Sequence, residues 1–306
     1  MDEFRNHPLY QEHDIDSIMG SLWAFYTKKF LVLFTLSFII SLITQYLSST
    51  FNFRELQTLT DPVEMMEKIR EFIWPMILIS LLSLFGTAIL HYYIIFNPVD
   101  SSKTIFESIF RSLRYFIPYL IIIILLAFFG SIAMTLGLFV LIIGIFFVLL
   151  YLVTLYLFIL PILMVEGPDI ANAISRAFKL THRRFWTNIG WVAVMIVIIM
   201  VIAIIMSGLI LLPFTGNFFK VLSDPAEASG AIDFMSNPFY MILSALVNAL
   251  YFPILPVFAT ALYFNGRARE EETGDIASSK KENNISVEDL YSRTPENDDT
   301  NNPVNQ

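Results

Sequence analysis

The sequence predicts an all-α polytopic membrane protein with six transmembrane helices, and three observations carry that prediction. No charged residue stands between Arg114 and Glu166, so the apolar run Tyr115 to Val165 is too long for one crossing of about 20 residues and right for two. Of the 306 residues, 56% are hydrophobic, 29 are Phe, and mean hydropathy is +0.65. Soluble domains sit nearer about 45–50% apolar, so a soluble core of this size is excluded. Finally, charge-free windows of helical length fall at 30–47, 73–96, 119–136, 138–165, 186–213 and 238–264.

Taken in order, the chain opens Met1-Asp2-Glu3, acidic where a secretory signal is basic, so the first span is expected to be an uncleaved anchor. Residues 1–29 carry Asp14 as an N-cap and then Ile15, Ile18, Met19, Leu22 and Phe25 at helical spacing, the pattern of an amphipathic helix lying in the membrane interface. The pattern returns before the third span, with Asp100 to Ser102 and then Ile105, Ile109, Phe110 and Leu113. Before the fifth it is Asp169 followed by Ile170, Ile174 and Phe178. Asp61-Pro62-Val63-Glu64 and Asp224-Pro225-Ala226-Glu227 share an arrangement of Asp cap, Pro at the first helical position and Glu at the third. Gly130, Thr135 and Gly137 are expected to mark the turn between the third and fourth spans. Even-numbered spans end in Phe96-Asn97-Pro98, Glu166-Gly167-Pro168 and Phe264-Asn265-Gly266, each a helix-stop signal. The architecture that follows is three hairpins (residues 30–265), each preceded by an interfacial helix. Small residues at four-residue spacing, Ala127, Ser131 and Thr135, then Ala245 and Ala249, are expected where helices approach closely. Residues 266–306 hold ten acids against five Lys or Arg and read as a disordered acidic cytoplasmic tail, with one apolar island at Ile285 to Tyr291.

Orientation follows from Lys and Arg near the span ends. With the N-terminus inside, the inner flanks hold Arg5, Lys28, Lys29, Lys103, Arg111, Arg114, Arg176, Lys179, Arg183, Arg184, Arg267 and Arg269, and the outer loops only Arg54, Lys68, Arg70 and Lys220. Both ends are therefore expected inside, in an inner (plasma) membrane. Trp23, Tyr26, Trp74, Tyr115, Trp186 and Tyr240 are expected at headgroup depth.

Chemistry is scarce in this sequence. It has no cysteine, which excludes disulfides and thiolate metal sites, and no zinc-protease, nucleophile-elbow, Walker or Asp-rich motif. No cofactor is implied and no enzymatic activity is expected. His91 is the one ionisable side chain well inside a predicted span. Such residues mark functional sites by default, yet a neutral imidazole bonded to a neighbouring carbonyl is an ordinary structural element. Gln45 and Asn248 read as interhelical hydrogen-bond partners, and Pro161, Pro253 and Pro256 as interruptions of the fourth and sixth spans. In a transporter such breaks line a path, whereas here no buried carboxylate accompanies them. Lys28, Lys29, Arg111, Arg114, Arg176, Lys179, Arg183 and Arg184 are the candidate contacts for lipid headgroups. Glu166 is expected to pair with Arg183 or Arg184. Nucleic acid is not indicated as a partner, since no basic domain or stacking platform is present. Membrane lipids are the expected partners, with a possible protein partner through the tail or the interfacial helices, and the oligomeric state is left open.

The segment Leu160-Pro161-Ile162-Leu163-Met164-Val165-Glu166-Gly167-Pro168, followed by Ala173-Ile174-Ser175-Arg176-Ala177-Phe178-Lys179-Leu180-Thr181 and Phe185-Trp186-Thr187-Asn188-Ile189-Gly190, has a distinctive order. A helix ends in Pro and an acid, an interfacial helix follows, and an aromatic pair opens the next span. This resembles the glycerophosphoryl diester phosphodiesterase membrane-domain group of six-helix bacterial inner-membrane proteins. The resemblance implies a helical membrane module, fused in some members to a soluble phosphodiesterase barrel of about 250 residues. No part of this chain offers that barrel, so no catalytic residue is carried over. The expected function is a non-enzymatic membrane module contacting lipid headgroups. The alternative is a transporter or lipid-handling protein with a path along the kinked fourth and sixth helices.

Overall fold

Asp14 opens the first helix as its sequence requires: its carboxylate accepts from Ser17 N–H at 2.9 Å while the Ser17 hydroxyl takes the Asp14 N–H. The computed structural model describes residues 2–50, 61–100, 105–139, 141–215 and 237–283. Among them are the α-helices α1 (Ile15–Lys28), α2 (Phe30–Ser49), α3 (Pro62–Phe96), α4 (Ile105–Leu138), α5 (Leu141–Val165), α6 (Ile170–Arg183), α7 (Phe185–Leu211), α8 (Pro238–Tyr251) and α9 (Ile254–Asn283), and no strand. Six helical stretches are long and apolar enough to cross a membrane: Phe30–Ser49, Pro62–Phe96, Ile105–Leu138, Ile143–Val165, Phe185–Leu211 and Pro238–Thr273. The protein is therefore an integral, multi-pass membrane protein. The predicted caps at Asp100 to Ser102 and Asp224, and the island at Ile285 to Tyr291, lie outside the described residues.

Helices α1 and α6, which carry the polar-faced pattern, join the following spans through one non-helical basic residue, Lys29 between α1 and α2 and Arg184 between α6 and α7. Before the third span the expectation of a separate helix fails, because Ile105 to Leu138 is one continuous helix with no such break. The expected stops also differ. Gly167 adopts φ +112, a left-handed turn that L side chains disfavour, and ends α5 cleanly. Asn97 stays right-handed, and Gly266 lies inside α9, which runs on to Asn283, so the first part of the expected tail is helix. Gly130 and Gly137 likewise sit within α4, and the chain turns after Leu138. A Cβ on Gly137 would meet the Gly144 carbonyl oxygen at 3.2 Å, so this glycine lets α4 and α5 pack backbone to backbone.

Packing is threefold in pattern. Helices α3, α5 and α9 contact one another at the centre; α2 lies against α3 and α8, α4 against α3 and α5, and α7 against α5 and α8. The sixth span is broken at Pro253 into α8 and α9, and Pro256 falls in the first turn of α9, where its missing N–H has no helical acceptor to lose. Pro161 stays inside an unbroken α5, as do Pro75 in α3 and Pro118 in α4. Burial concentrates toward the end where the N-terminal segment lies, along Ala88 to Ile95, Leu157 to Met164 and Val257 to Phe264. Elsewhere the helices present Phe128, Phe129, Ile204 and Ile205 outward, a surface suited to acyl chains. Trp23, Trp74 and Trp186 are exposed, whereas Tyr26 is buried and donates its hydroxyl proton to the Leu250 carbonyl.

Residues 2–13 close the centre of that end. A 3-10 turn, Asp2–Asn6, sets Phe4 against Phe96 and Phe264, and His7 and Leu9 are buried behind it. His7 Nε2–H donates to the Ile94 carbonyl at 3.0 Å and its Nδ1 accepts from Leu9 N–H at 3.1 Å, a pair of bonds that only the neutral ring makes. His13 N–H donates to Asn265 Oδ1 at 2.9 Å, and Arg269 reaches the His13 carbonyl and, at 3.1 Å, Glu12. N-terminal segment and α9 are thus fastened together.

Candidate functional site: a charged rim at one end of the bundle

At the end of α5, Glu166 is nearly buried and accepts from three groups. Arg176 Nε donates at 3.0 Å from α6, Arg267 Nη1 at 3.2 Å and the Tyr263 hydroxyl at 3.0 Å, both from α9. Arg176 also forks onto Glu270, with Nη2 to Oε2 at 2.7 Å and Nη1 to Oε1 at 3.1 Å, a bidentate pair of the strong kind. Arg183 reaches Glu270 at 3.3 Å. The hydrogen bonds to Glu270, reinforced by Glu166, raise the Arg176 pKa above the ordinary guanidinium value against the opposing effect of burial. These contacts lock α5, α6 and α9 to one another.

Glu166 does not pair with Arg183 or Arg184 as expected. The left-handed turn at Gly167 and the Asp169 cap, which accepts from Asn172 N–H at 2.8 Å, fold α6 back so that its second turn, carrying Arg176, faces Glu166. Arg183 sits two turns further on and finds Glu270 instead.

The eight cations expected at headgroups therefore fall into two sets. Arg176 and Arg183 are taken by the rim carboxylates, Arg111 pairs with Glu107 at 2.7 Å, and Lys29 donates to Asn97 at 2.8 Å. Lys28, Arg114, Lys179 and Arg184 are exposed, and their side chains make no hydrogen bond or close ion pair among the described residues, although Lys179 lies within electrostatic reach of Glu270. Glu270, Arg267 and Tyr263 were not legible as partners from composition, although Tyr263, Arg267 and Glu270 stand at the i, i+4, i+7 spacing that would have carried the sixth helix past Gly266.

Inside the spans, polar groups are consumed locally. His91 Nδ1–H donates to the Thr87 carbonyl at 2.9 Å, and Nε2 has no protein partner. It borders a cavity of about 10 Å³ lined by Tyr156, Leu157, Leu160, Leu255 and Pro256, a space for about one water molecule. Gln45 donates to the Ser244 hydroxyl at 3.0 Å and ties α2 to α8 as expected, whereas Asn248 accepts from Tyr251 on its own helix. Pro161, Pro253 and Pro256 are packed in this region, and Pro256 touches the cavity. Tyr119 donates to Tyr156 at 2.9 Å between α4 and α5.

A helical bundle whose described polar groups mostly bond locally inside and whose charges sit at the helix ends, outside the long apolar stretches, is a membrane domain rather than a soluble one. Residues 130–290, a little over half of the chain, match the family model described as the membrane domain of glycerophosphoryl diester phosphodiesterase, and the chain belongs to that family. The match is to the membrane part of that family and not to a catalytic domain. No curated protein and no solved structure matches.

Proposed function

We propose that this protein is a non-enzymatic module of the inner (plasma) membrane that holds phospholipid headgroups at its basic rim, with both termini on the cytoplasmic side. The observation that carries this reading is the division of the rim. Its carboxylates Glu166 and Glu270 are engaged by arginines, while Lys28, Arg114, Lys179 and Arg184 remain exposed with charge to offer. Each such residue near an anionic surface contributes on the order of 1 kcal/mol. A transport path has less support, because the cavity beside His91 is about 10 Å³ and Gln45 bonds to Ser244.

Two measurements test the reading. The sequence has no cysteine, so Ser175→Cys on α6 should resist an impermeant thiol reagent applied from outside, and Ser223→Cys should react. The opposite labelling would invert the topology. Phosphatidylglycerol added to the detergent-solubilised protein should raise its melting temperature, and far less in the triple variant Lys28→Gln, Lys179→Gln, Arg184→Gln. Equal stabilisation of both proteins would sink the headgroup assignment.

A further inference from the structure

Between the C-terminal end of α3 and the first turns of α4 lies a groove of about 440 Å³ lined by Glu3, Tyr92, Phe96, Arg111, Arg114 and Tyr115. Its size suits a polar headgroup. Arg111, Arg114 and Tyr115 share one face of α4 by their spacing, three and four residues apart. Arg114 is exposed with no ion-pair partner among the described residues, and Arg111 shares its guanidinium with Glu107. The N-terminal turn contributes Glu3 to the same groove, exposed and likewise without an ion-pair partner among the described residues. Tyr92 stacks on Phe96 with ring centroids 4.4 Å apart and lies 6.2 Å from the Tyr115 ring, forming an aromatic wall.

A site for anions alone would not keep a free carboxylate, since Glu3 repels a phosphate that the arginines attract. Guanidinium, carboxylate and aromatic faces lining one groove fit a ligand with both charges: a phosphodiester anion and an ammonium cation. On the same helix Phe110 and Ile117 are 69% and 59% exposed, apolar surface that a soluble ligand would leave unused and an acyl chain would cover. From the presence of Glu3 and Arg114 in the lining of one groove we infer that it binds the headgroup of a zwitterionic phospholipid of the phosphatidylethanolamine type. Arg114, with Arg111, holds the phosphodiester, and Glu3 with the aromatic wall holds the ammonium. The inference rests on the headgroup reading above and names one lipid class and one seat for it.

Native mass spectrometry of the whole protein with phosphatidylethanolamine or phosphatidylglycerol tests it. Glu3→Gln should weaken phosphatidylethanolamine about tenfold, the value of one charge-assisted bond, and leave phosphatidylglycerol unchanged or tighter. Arg114→Gln should weaken both. Both variants alter exposed side chains, so their melting temperatures should match the wild type. An unchanged phosphatidylethanolamine affinity in Glu3→Gln overturns the inference, and soluble phosphoethanolamine binding as tightly as the lipid would reassign the groove to a free ligand. If phosphatidylglycerol stabilisation disappears in the triple rim variant while Arg114→Gln has no effect on either lipid, this groove is refuted and the rim reading stands. If neither lipid binds or stabilises the wild type, both fall.

Discussion

Glu166→Ala is expected to be the most damaging single change at the rim, costing up to roughly 3–5 kcal/mol of stability because it leaves two partly buried arginines without their shared carboxylate. The Glu166 side chain is 8% exposed and those of Arg176 and Arg267 are 17% and 15% exposed, so water compensates them poorly. Arg176 would keep Glu270, whereas Arg267 would keep Glu271, which is 3.8 Å away and more exposed. The loss should appear as a lower melting temperature in detergent and as easier proteolysis near Gly167, where α6 is released from α5. A double-mutant cycle identifies the cause. Adding Arg176→Ala to Glu166→Ala should cost less than the sum of the two single changes, since the second removes a cation the first left unpaired. Strict additivity would mean that the two residues act independently and that Glu166 matters for some other reason.

That network also shows where the sequence stopped being informative. The six crossings were legible because long charge-free runs have few alternatives in a chain of this composition, and α1 and α6 were legible because they have a polar face. Within the spans no such contrast exists. A helix apolar on every side does not reveal which side packs, so Ala127, Ser131 and Thr135 were expected at an interface and are not buried, while Gly130 and Gly137 on the same helix are. Ala245 and Ala249, by contrast, are fully buried as expected. The rim failed for the opposite reason. Beyond Gly266 the residues are as polar as a disordered tail, and nothing local shows that Arg267, Arg269, Glu270 and Glu271 would be fixed by partners as distant in sequence as Glu166, Arg176 and His13. The threefold stop signal was read as one device in three copies, but only Gly167 uses it, because only there does the chain turn at once into an interfacial helix.

The second large effect is a loss of stability in mild acid that depends on His7. Burial lowers its pKa from 6.5 to about 4, partly offset by the bond to the Ile94 carbonyl. In the unfolded chain the ring takes a proton near 6.5, and in the folded protein only near 4, so between those values the unfolded state binds more protons. The stability contributed by neutral His7 is therefore complete above pH 6.5, declines as the pH falls toward about 4, and does not change further below that. A shift of this size corresponds to about 3 kcal/mol across the window. The structural cause is specific: a proton on Nδ1 breaks the bond from Leu9 N–H and puts a charge between Phe25 and Phe264. His13, also buried at this end, has its pKa lowered by desolvation and acts in the same direction. His7→Gln keeps a donor for the Ile94 carbonyl but cannot take up the proton. Melting temperatures recorded from pH 7.5 to 4.5 should therefore fall more steeply for the wild type than for this variant, with the difference confined to pH below about 6.5. Parallel curves would show that the N-terminal segment does not sense protons through His7.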